Sequence, residues 1–428
     1  MVNKGLRLVL AAGLSLTLAA CTGGGGTPAP APESGEAGGA LSGEITFQTW
    51  SLKNDRFTPY FESVIDAFET EHPDVTVNWM DQPGDGYEDK ILQQANSNTL
   101  PDVINLPPEF AYKLAQVDQL TDLRAADAAT VDLYVPGAVT AYEYPEIEGV
   151  YAYPWYLGTD LNFWNMELLG KAGITEADLP TTIDGIFELA SKVAKETNGE
   201  VKIISESPKM GTLNNAGVEL IKDGQFAFNT PDAVALIDKY HQAFLDGALP
   251  AEALSGNYLG NSALFKQGKV AYTTASAGFA SELEKEAPTL LANTVATARI
   301  GNPPLFVQGI SVAKTSKNPT VALEFAKFVT NNDNQIEFLK IAQGFFPGTQ
   351  AANDNPESFT SVIENALQKD ATEKAASSIK NAKPEYPIQF TYAMDTYFKQ
   401  QVALAVRGDI SSQEALDKAL QNANDSME

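Results

Sequence analysis

Residues 44–79, EITFQTWSLKNDRFTPYFESVIDAFETEHPDVTVNW, decide the fold because two hydrophobic periods follow one another within them. In residues 44–50, polar and apolar side chains alternate, which is typical of a β-strand. Apolar residues then recur at spacings of three and four, which places them on one face of a helix: Phe61, Val64, Ile65 and Phe68. After the break at Pro73, residues 75–79 alternate again and predict a second strand.

The same order of elements continues downstream. A polar helix is predicted near residues 87–97, and the sequence PDVI at residues 101–104 opens a third strand. Strand, helix, strand, helix, strand predicts a parallel α/β sheet. The 386 residues after residue 42 (428 minus 42) exceed what one hydrophobic core usually holds, so two α/β lobes are expected.

Three later helices are marked by their first residues. Thr230-Pro231 and Asn318-Pro319 each combine a capping residue with a proline in the first turn. Ser411 and Glu414 have the spacing of a capping box. The last hundred residues are therefore expected to be mostly helical.

The N-terminus has the build of a signal peptide, which we assign to residues 1–20. Lys4 and Arg7 precede the mainly apolar residues 8–20. As a helix this run would measure about 20 Å, which is short of the roughly 30 Å hydrocarbon core of a membrane. The sequence thus predicts export rather than a transmembrane span.

Cys21 follows Leu18-Ala19-Ala20, and together they resemble a bacterial lipobox. The resemblance implies that Cys21 is lipidated and begins the mature protein, which its acyl chains then hold at the membrane. The alternative is an ordinary signal peptide that is cut near Ala20 and leaves a stray thiol. Because the chain has one cysteine, no intramolecular disulfide can form.

Residues 21–42 are expected to form a flexible tether. After Cys21 they are rich in glycine and proline and carry almost no residue that could pack into a core. Such a segment has a root-mean-square reach of roughly 25 Å, enough to hold a folded body off a bilayer.

The charge balance bears on the classes of ligand. Asp and Glu number 55 against 29 Lys and Arg, for a net charge of −26. A surface this acidic repels phosphate backbones, so nucleic-acid binding is not expected. The excess is compatible with a role in solubility and with a neutral or cationic ligand.

The sequence offers little for catalysis. Only His72 and His241 carry imidazoles, and neither has neighbours at metal-ligand spacing. Residues 23–26 are glycines but precede neither a lysine nor a helix, so they do not form a phosphate loop. We therefore predict no catalytic residue, no metal ligand and no cofactor. A glycosidase that needs only two carboxylates remains compatible with the composition.

Several segments together resemble the extracellular solute-binding proteins of family 1, the maltose-binding-protein-like receptors of ABC importers. In chain order they are ITFQTW (45–50), FETEHPDVTVNW (68–79), ANSNTLPDVINL (95–106), YAYPWYLGTDLNFWNMELLGKAGI (151–174), FKQGKVAYTT (265–274), SKNPTVALEFAKFVTNND (316–333) and GDISSQEALDKAL (408–420). The resemblance depends on the order of these segments over nearly the whole mature chain, not on any single one of them. It implies an α/β fold with two lobes, the Venus-flytrap fold of periplasmic binding proteins, with the ligand cleft between the lobes. Lobe 1 would comprise residues 43–152 and 306–345, and lobe 2 residues 153–305 and 346–428.

The same resemblance implies a function. A monomeric, membrane-anchored protein outside the cytoplasm would capture a sugar or oligosaccharide and deliver it to a permease that works with an ATPase. A receptor for a polyamine or a peptide is the alternative within the same fold. Cleft carboxylates without an aromatic wall would favour a polyamine, whereas aromatic walls with amides would favour a sugar.

Candidate ligand-binding residues follow from strand ends, because ligands of parallel α/β sheets bind beyond the carboxyl ends of the strands. Strand ends and loops contribute Trp50, Asn54, Glu109, Trp155, Tyr156, Asn214, Asn257 and Phe345. Trp50 and Trp155 are expected to stack on sugar rings, whereas Trp79 and Trp164 are assigned to cores. Asn214 and Asn257 are also compatible with loop residues that satisfy backbone groups. The pair Phe345-Phe346 is equally compatible with a cleft wall and a packing plug.

Further candidates come from the resemblance. Glu109 falls on a charged position after the third strand, and Phe279 falls where the family often places a stacking aromatic ring. Gly158 stands where a carboxylate is common, and Asp160 is the expected substitute. Phe306 and Gln308 complete the set at the expected return crossing between the lobes.

Overall fold

The computed structural model describes residues 40–255, 260–379 and 382–427. The predicted signal peptide, Cys21, nearly all of the tether and Asn257 lie outside the described residues. Residues Leu41–Glu428 form a compact unit by themselves. Within the described ranges, no helix combines the length and the apolar character that a membrane crossing requires.

Twelve strands occur in the described chain. They are β1 (Ser42–Trp50), β2 (Asp74–Gln82), β3 (Val103–Leu106), β4 (Tyr153–Gly158), β5 (Asp160–Asn165), β6 (Ile221–Lys222), β7 (Gln225–Phe226), β8 (Tyr272–Ser276), β9 (Thr294–Thr297), β10 (Pro304–Val312), β11 (Phe346–Pro347) and β12 (Lys383–Pro384).

The described α-helices are α1 (Thr58–Glu71), α2 (Tyr87–Asn96), α3 (Pro108–Gln116), α4 (Leu123–Val131), α5 (Pro136–Thr140), α6 (Met166–Gly170), α7 (Ile183–Glu196), α8 (Met210–Asn215), α9 (Pro231–Leu245), α10 (Gly260–Lys266), α11 (Phe279–Glu286), α12 (Pro288–Leu291), α13 (Pro319–Val329), α14 (Asn332–Ile341), α15 (Gln350–Asp354), α16 (Glu357–Thr360), α17 (Ala366–Ile379), α18 (Tyr392–Arg407) and α19 (Ser412–Asp425). Two short 3₁₀ turns, Glu176–Asp178 and Ala251–Ser255, lie between them.

The larger sheet has the strand order β11-β4-β10-β3-β1-β2, and β12 also pairs with β10. β1 is parallel to β2 and to β3, as the sequence predicted. β10 runs antiparallel to both β3 and β4, which makes the sheet mixed. The carboxyl ends of β1, β3 and β4 therefore meet the first residues of β10 at one edge.

The helix predicted after β1 forms as α1 and buries the predicted face. Phe61, Val64, Ile65 and Phe68 are all buried. The helix ends before Pro73, because proline disfavours helical geometry in the residue that precedes it. On the same sheet, Phe47 of β1 packs edge-on against Phe325 of α13, with ring centroids 5.3 Å apart. Each such buried side chain contributes about 1.5–3 kcal/mol to folding.

The smaller sheet is antiparallel, with the order β8-β5-β9. Trp164 of β5 is fully buried and stacks on Tyr272 at 4.4 Å, in agreement with its assignment to a core. Its Nε1 donates to Thr297 Oγ1 at 2.9 Å, so the indole leaves no unmet donor. Trp79 of β2 is half-buried and its Nε1 donates to Thr49 Oγ1.

Sheet membership differs from the predicted lobe boundaries at two places. β4 begins at Tyr153 but pairs with β10 in the larger sheet, so the chain passes to the smaller sheet at Thr159 instead. After β11, helices α15 and α16 still contact α14 beside the larger sheet. The next helix, α17, packs on β9 of the smaller sheet. Residues 346–360 therefore lie with the larger sheet, and β12 pairs with that sheet again after α17. The connection back into β10 at Pro304 lies close to the predicted Phe306.

The three predicted helix starts form, by different contacts. Thr230 caps α9, because its Oγ1 accepts from Ala233 N at 3.2 Å. Ser411 caps α19 in the same way, although the side chain of Glu414 pairs with Lys418 instead of closing a capping box. Asn318 precedes α13 without capping it, since its Nδ2 donates to the Glu44 carbonyl at 2.8 Å.

Candidate functional site

A cavity of about 1070 Å³ lies at the edge where β3 ends and β10 begins. One wall is the start of α3, the floor is the first half of β10, and the opposite wall is the segment from β12 into α18. Of the predicted ligand-binding residues, the cavity lining contains Glu109, Phe306 and Gln308. The cavity lies beyond the carboxyl end of β3, which is where ligands of parallel α/β sheets bind.

Glu109 lies in the first turn of α3. The helix starts here because Pro107 and Pro108 fix backbone geometry that suits a first turn but supply no N–H. The Glu109 side chain is exposed to solvent. Protein atoms around the carboxylate nevertheless displace part of its hydration, and this desolvation raises the pKa of Glu109. A nearby Glu88 raises this pKa further, while Lys113 lowers it.

Gln308 is held in position by Asn105 of β3. Asn105 Nδ2 donates to Gln308 Oε1 at 3.1 Å and to the Gly309 carbonyl at 3.2 Å. The ladder to β4 is irregular between Gln308 and Gly309. A Cβ at Gly309 would lie 2.6 Å from Tyr142 Oη, so only glycine fits this close approach. The irregularity turns Gln308 toward the cavity.

Aromatic rings gather around Gly158 at the end of β4. A Cβ on Gly158 would lie 3.5 Å from Phe306 and 3.8 Å from Phe345. Phe345 is 39% exposed and meets Tyr156 edge-on, with centroids 5.1 Å apart. Position 158 therefore lies in van der Waals range of both phenylalanine side chains.

Trp155 does not line the site, contrary to the prediction that it stacks on ligand. It is fully buried and packs on Phe338 of α14 at 4.6 Å and on Phe61 of α1 at 5.7 Å. Phe279 is likewise 2% exposed and packs on Phe163 and Phe265. Both are core residues, because the helices beside each sheet cover them.

Trp50 and Asn54 lie outside the cavity lining. Trp50 is half-buried beside Tyr87, with ring centroids 5.9 Å apart, and its Nε1 is buried with no acceptor among the described residues. Asn54 is exposed and its Oδ1 accepts from the backbone N–H groups of Arg56 and Phe57. Asn54 thus stabilises the turn before α1.

Asn214 and Asp160 line a small polar pocket that adjoins the cavity through Glu385. Asn214 Nδ2 donates to the carbonyls of Pro384 and Glu385, each at 2.9 Å, so it satisfies backbone groups as the alternative interpretation expected. Burial raises the pKa of Asp160 to about 6, although Arg299 and Lys209 oppose the shift.

Comparisons with known proteins identify the family. The family model for bacterial extracellular solute-binding proteins matches residues 54–336. This chain belongs to that family. A putative binding protein of Brucella abortus is 25% identical over 331 residues, which cover 73% of this chain and 77% of the relative.

Solved structures show the same fold. A putative oligosaccharide periplasmic-binding protein from Synechococcus sp. MITs9220 superposes with a TM-score of 0.79 at 26% identity, covering 89% of this chain and 98% of the other. The cyclic alpha-maltosyl-1,6-maltose binding protein from Arthrobacter globiformis gives 0.73 at 18% identity, covering 90% and 98%. The two-lobed periplasmic-binding-protein fold predicted from the sequence is confirmed. The family and these neighbours are binding proteins rather than enzymes.

Part of the cavity lining of this solute-binding protein was not predicted from its sequence. Tyr112, Lys113 and Glu146 line the cavity on the α3 side, and Tyr386 lines it opposite at 41% exposure. A signal for Tyr386 was present, since Pro384 and Pro387 flank it and predict an irregular segment that exposes its side chains. Nothing in the local sequence places residue 386 opposite α3.

Among the residues described, no group of three or more His, Cys, Asp or Glu side chains is arranged to hold a metal ion.

Proposed function

We propose that this solute-binding protein captures a sugar or oligosaccharide in the cavity between its lobes and delivers it to the permease and ATPase of an ABC importer. The observation that carries the proposal is the composition of the cavity lining. Aromatic rings and side-chain amides occur there together, and the volume of about 1070 Å³ slightly exceeds the usual range of about 300–1,000 Å³ for ligand sites.

Each part of the lining suits a part of a saccharide. The rings of Phe306 and Tyr386 offer apolar faces to the C–H face of a pyranose. Gln308 and Gln389 offer both donors and acceptors to hydroxyl groups. Phe345, beside Phe306 and 39% exposed, extends the aromatic wall. Because the cavity is larger than a single sugar ring needs, it favours an oligosaccharide.

The relatives support this ligand class. The Synechococcus protein, at 26% identity, carries the name of an oligosaccharide-binding protein. A putative ABC transporter periplasmic-binding protein of Escherichia coli is 22% identical over 334 residues, which supports the ABC permease as partner.

The proposal includes the arrangement of the lobes. The larger sheet with its helices forms one lobe, and the smaller sheet with α7, α9, α17, α18 and α19 forms the other. Ligand that contacts both walls would stabilise the closed form over the open one. The protein would act as a monomer, held outside the cytoplasm by lipid on Cys21.

A polyamine or peptide receptor is the second candidate, because Glu88, Glu109, Glu146, Glu385 and Asp395 also line the cavity. The aromatic wall favours the sugar. A glycosidase that uses two of these carboxylates is the third candidate, and a test for product formation separates it from a binding protein.

The test is a thermal-shift screen of residues 41–428 against mono- and oligosaccharides, with polyamines and peptides in the same panel. Ligand at a hundred times its Kd adds about 2.7 kcal/mol to stability, which raises the melting temperature by a few degrees. We expect an oligosaccharide to raise it without being consumed. A shift with polyamines or peptides alone would refute the sugar proposal, and consumption of the sugar would indicate an enzyme.

A further inference from the structure

The cavity walls carry more negative than positive charge. Five carboxylates line the cavity, those of Glu88, Glu109, Glu146, Glu385 and Asp395, against one ammonium, that of Lys113. On the wall opposite α3, both acids are paired, because Glu385 lies 3.0 Å from Lys209 Nζ and Asp395 lies 2.5 Å from Lys399 Nζ. The α3 wall keeps Glu88, Glu109 and Glu146 against Lys113, an excess of two negative charges (3 minus 1).

Glu109 and Glu146 are the acids of the α3 wall without an ion pair among the described residues. Lys113 pairs with Glu88. Glu146 accepts one hydrogen bond, from Tyr112 Oη at 3.0 Å. The Glu109 carboxylate receives a hydrogen bond from its own backbone N–H, and burial raises its pKa. Lys113 lowers the pKa of Glu109 from a distance but forms its ion pair with Glu88, so a cationic ligand could still give Glu109 a charge-assisted hydrogen bond.

Aromatic rings lie in the same cavity as these acids. Tyr112 belongs to the α3 wall, Phe306 to the floor, and Tyr386 and Phe390 to the opposite wall. Aromatic faces attract cations as well as the apolar faces of sugars. Acids without aromatic rings would suit a polyamine, and aromatic rings without excess acid would suit a neutral sugar. This cavity combines both features.

We infer that the ligand is a saccharide that carries a protonated amine, with its ammonium group at the α3 wall beside Glu109 and Glu146 and its rings against Phe306 and Tyr386. The inference rests on the proposed function, because it assumes that saccharides occupy the cavity. A linear polyamine fits less well, since its second ammonium would face the opposite wall, where Glu385 and Asp395 already have lysine partners.

The test compares three probes of equal length: the glucosamine tetrasaccharide, its fully N-acetylated counterpart and a glucose tetrasaccharide. Isothermal titration calorimetry with residues 41–428 gives the Kd of each. We expect the amine-bearing probe to bind at least about tenfold more tightly than either neutral probe, as a charge-assisted hydrogen bond implies. The difference should shrink as NaCl is raised from about 0.05 to 0.5 M, because salt screens charge pairs.

Glu109→Gln should remove most of that preference, so that the ratio between the Kd values of the neutral and amine-bearing probes falls toward one. Glu148→Gln is the matched control, since Glu148 is exposed two residues from Glu146 and does not line the cavity. Melting temperatures of both variants establish that they fold, and the salt series tests the inference on the unmodified protein alone.

Each outcome separates the inference from the proposed function. Equal binding of amine-bearing and neutral tetrasaccharides would overturn the inference and leave the sugar proposal standing. A preference that Glu109→Gln and salt both leave unchanged would also overturn it. Binding of spermine with no binding of any saccharide would overturn both.

Discussion

Trp155 and Tyr156 are neighbours in β4 but have different surroundings, because successive side chains of a strand point to opposite faces. Trp155 is enclosed by Phe61 and Phe338, whereas Tyr156 keeps some solvent contact and touches the exposed Phe345. At the residue scale, Trp155 is therefore a core residue, whereas Tyr156 contacts Phe345, which lies beside Phe306 of the cavity lining.

Trp155→Ala and Phe345→Ala should have opposite effects on stability and binding. Loss of a fully buried tryptophan should lower the free energy of unfolding by about 3–5 kcal/mol. Loss of the exposed Phe345 ring should cost little stability but weaken saccharide binding by about 1 kcal/mol, roughly a fivefold rise in Kd. Leu133→Ala, at an exposed apolar residue outside the cavity, is the control. Intact binding in Phe345→Ala would exclude its role as a wall.

Asp160 makes the stability of the protein depend on pH. Its folded pKa of about 6 lies above the ordinary aspartate pKa of about 3.9, so its protonated form favours the folded state. This contribution is complete below about pH 3.9 and is lost as the pH rises through about 6. Two pKa units correspond to about 2.7 kcal/mol, and residual solvent contact reduces the expected loss to about 1–2 kcal/mol.

Asp160→Asn isolates this effect, because other titrating groups cancel in the comparison. Between pH 4 and pH 7, the wild-type free energy of unfolding in urea should fall by about 1–2 kcal/mol relative to that of the variant. A constant difference across this pH range would mean that the Asp160 pKa is not raised.

At the scale of elements, the segment from β12 to α18 forms one wall of the cavity and is held in place by β10 and by α8. Lys383 N donates to the Pro303 carbonyl, and β12 extends the larger sheet beside β10. Asn214 of α8 holds the backbone of Pro384 and Glu385 from the other side. The position of Tyr386 therefore depends on α8, which itself does not line the cavity.

Gly211→Ala should disturb this wall. A Cβ at Gly211 would lie 2.6 Å from Glu385 Cδ, so Glu385 must leave its place and its ion pair with Lys209. We expect ligand affinity to fall severalfold, with a change in the free energy of unfolding below about 1 kcal/mol, because a partly exposed ion pair contributes little. Calorimetry and urea unfolding measure both quantities.

Gly170→Ala is the matched control, since Gly170 is also helical and has no atom within 4 Å of the added methyl group. Unchanged affinity in Gly211→Ala would mean that Glu385 does not position the wall.

At the scale of the whole molecule, the chain changes sheets at Thr159 and at the entry to β10, and it returns to the larger sheet at β12 after α17 has packed on β9. Several connections beside one cavity are compatible with the hinge that the proposed closure needs. A solute-binding protein has to lie where the solute is present. The proposal therefore includes a lipid on Cys21 that holds the protein at the outer side of the membrane.

Cys21→Ser should release the protein from membranes or leave it with an uncleaved signal peptide. The reason is that a serine hydroxyl cannot accept the thioether-linked lipid, so the variant is either cut and released or keeps the apolar residues 8–20 of its signal peptide. Fractionation and mass spectrometry of the N-terminus measure the outcome. A wild-type N-terminus that carries no lipid, or a variant that is cut before residue 21 and still retained at the membrane, would contradict the lipoprotein proposal.

The sequence determined the elements. Alternation in residues 44–50 and the spacing of Phe61, Val64, Ile65 and Phe68 predicted β1 and α1, and Thr230 with Pro231 predicted the start of α9. These are local properties, because period and capping depend on residues within a few positions of one another. The ordered motifs also indicated the family, and with it the two-lobed fold.

The tertiary structure alone decided which side chains meet in the cavity. Trp155 is covered because α1 and α14 pack on its face of the sheet, whereas Tyr156 is not fully covered. Tyr386 and Glu109 line the same cavity although they are far apart in the chain. Burial and charge pairing depend on such long-range contacts, which no local period encodes. The sequence could therefore name the strand ends that build the site, whereas the packing of distant elements decided which of their side chains remain open to a ligand.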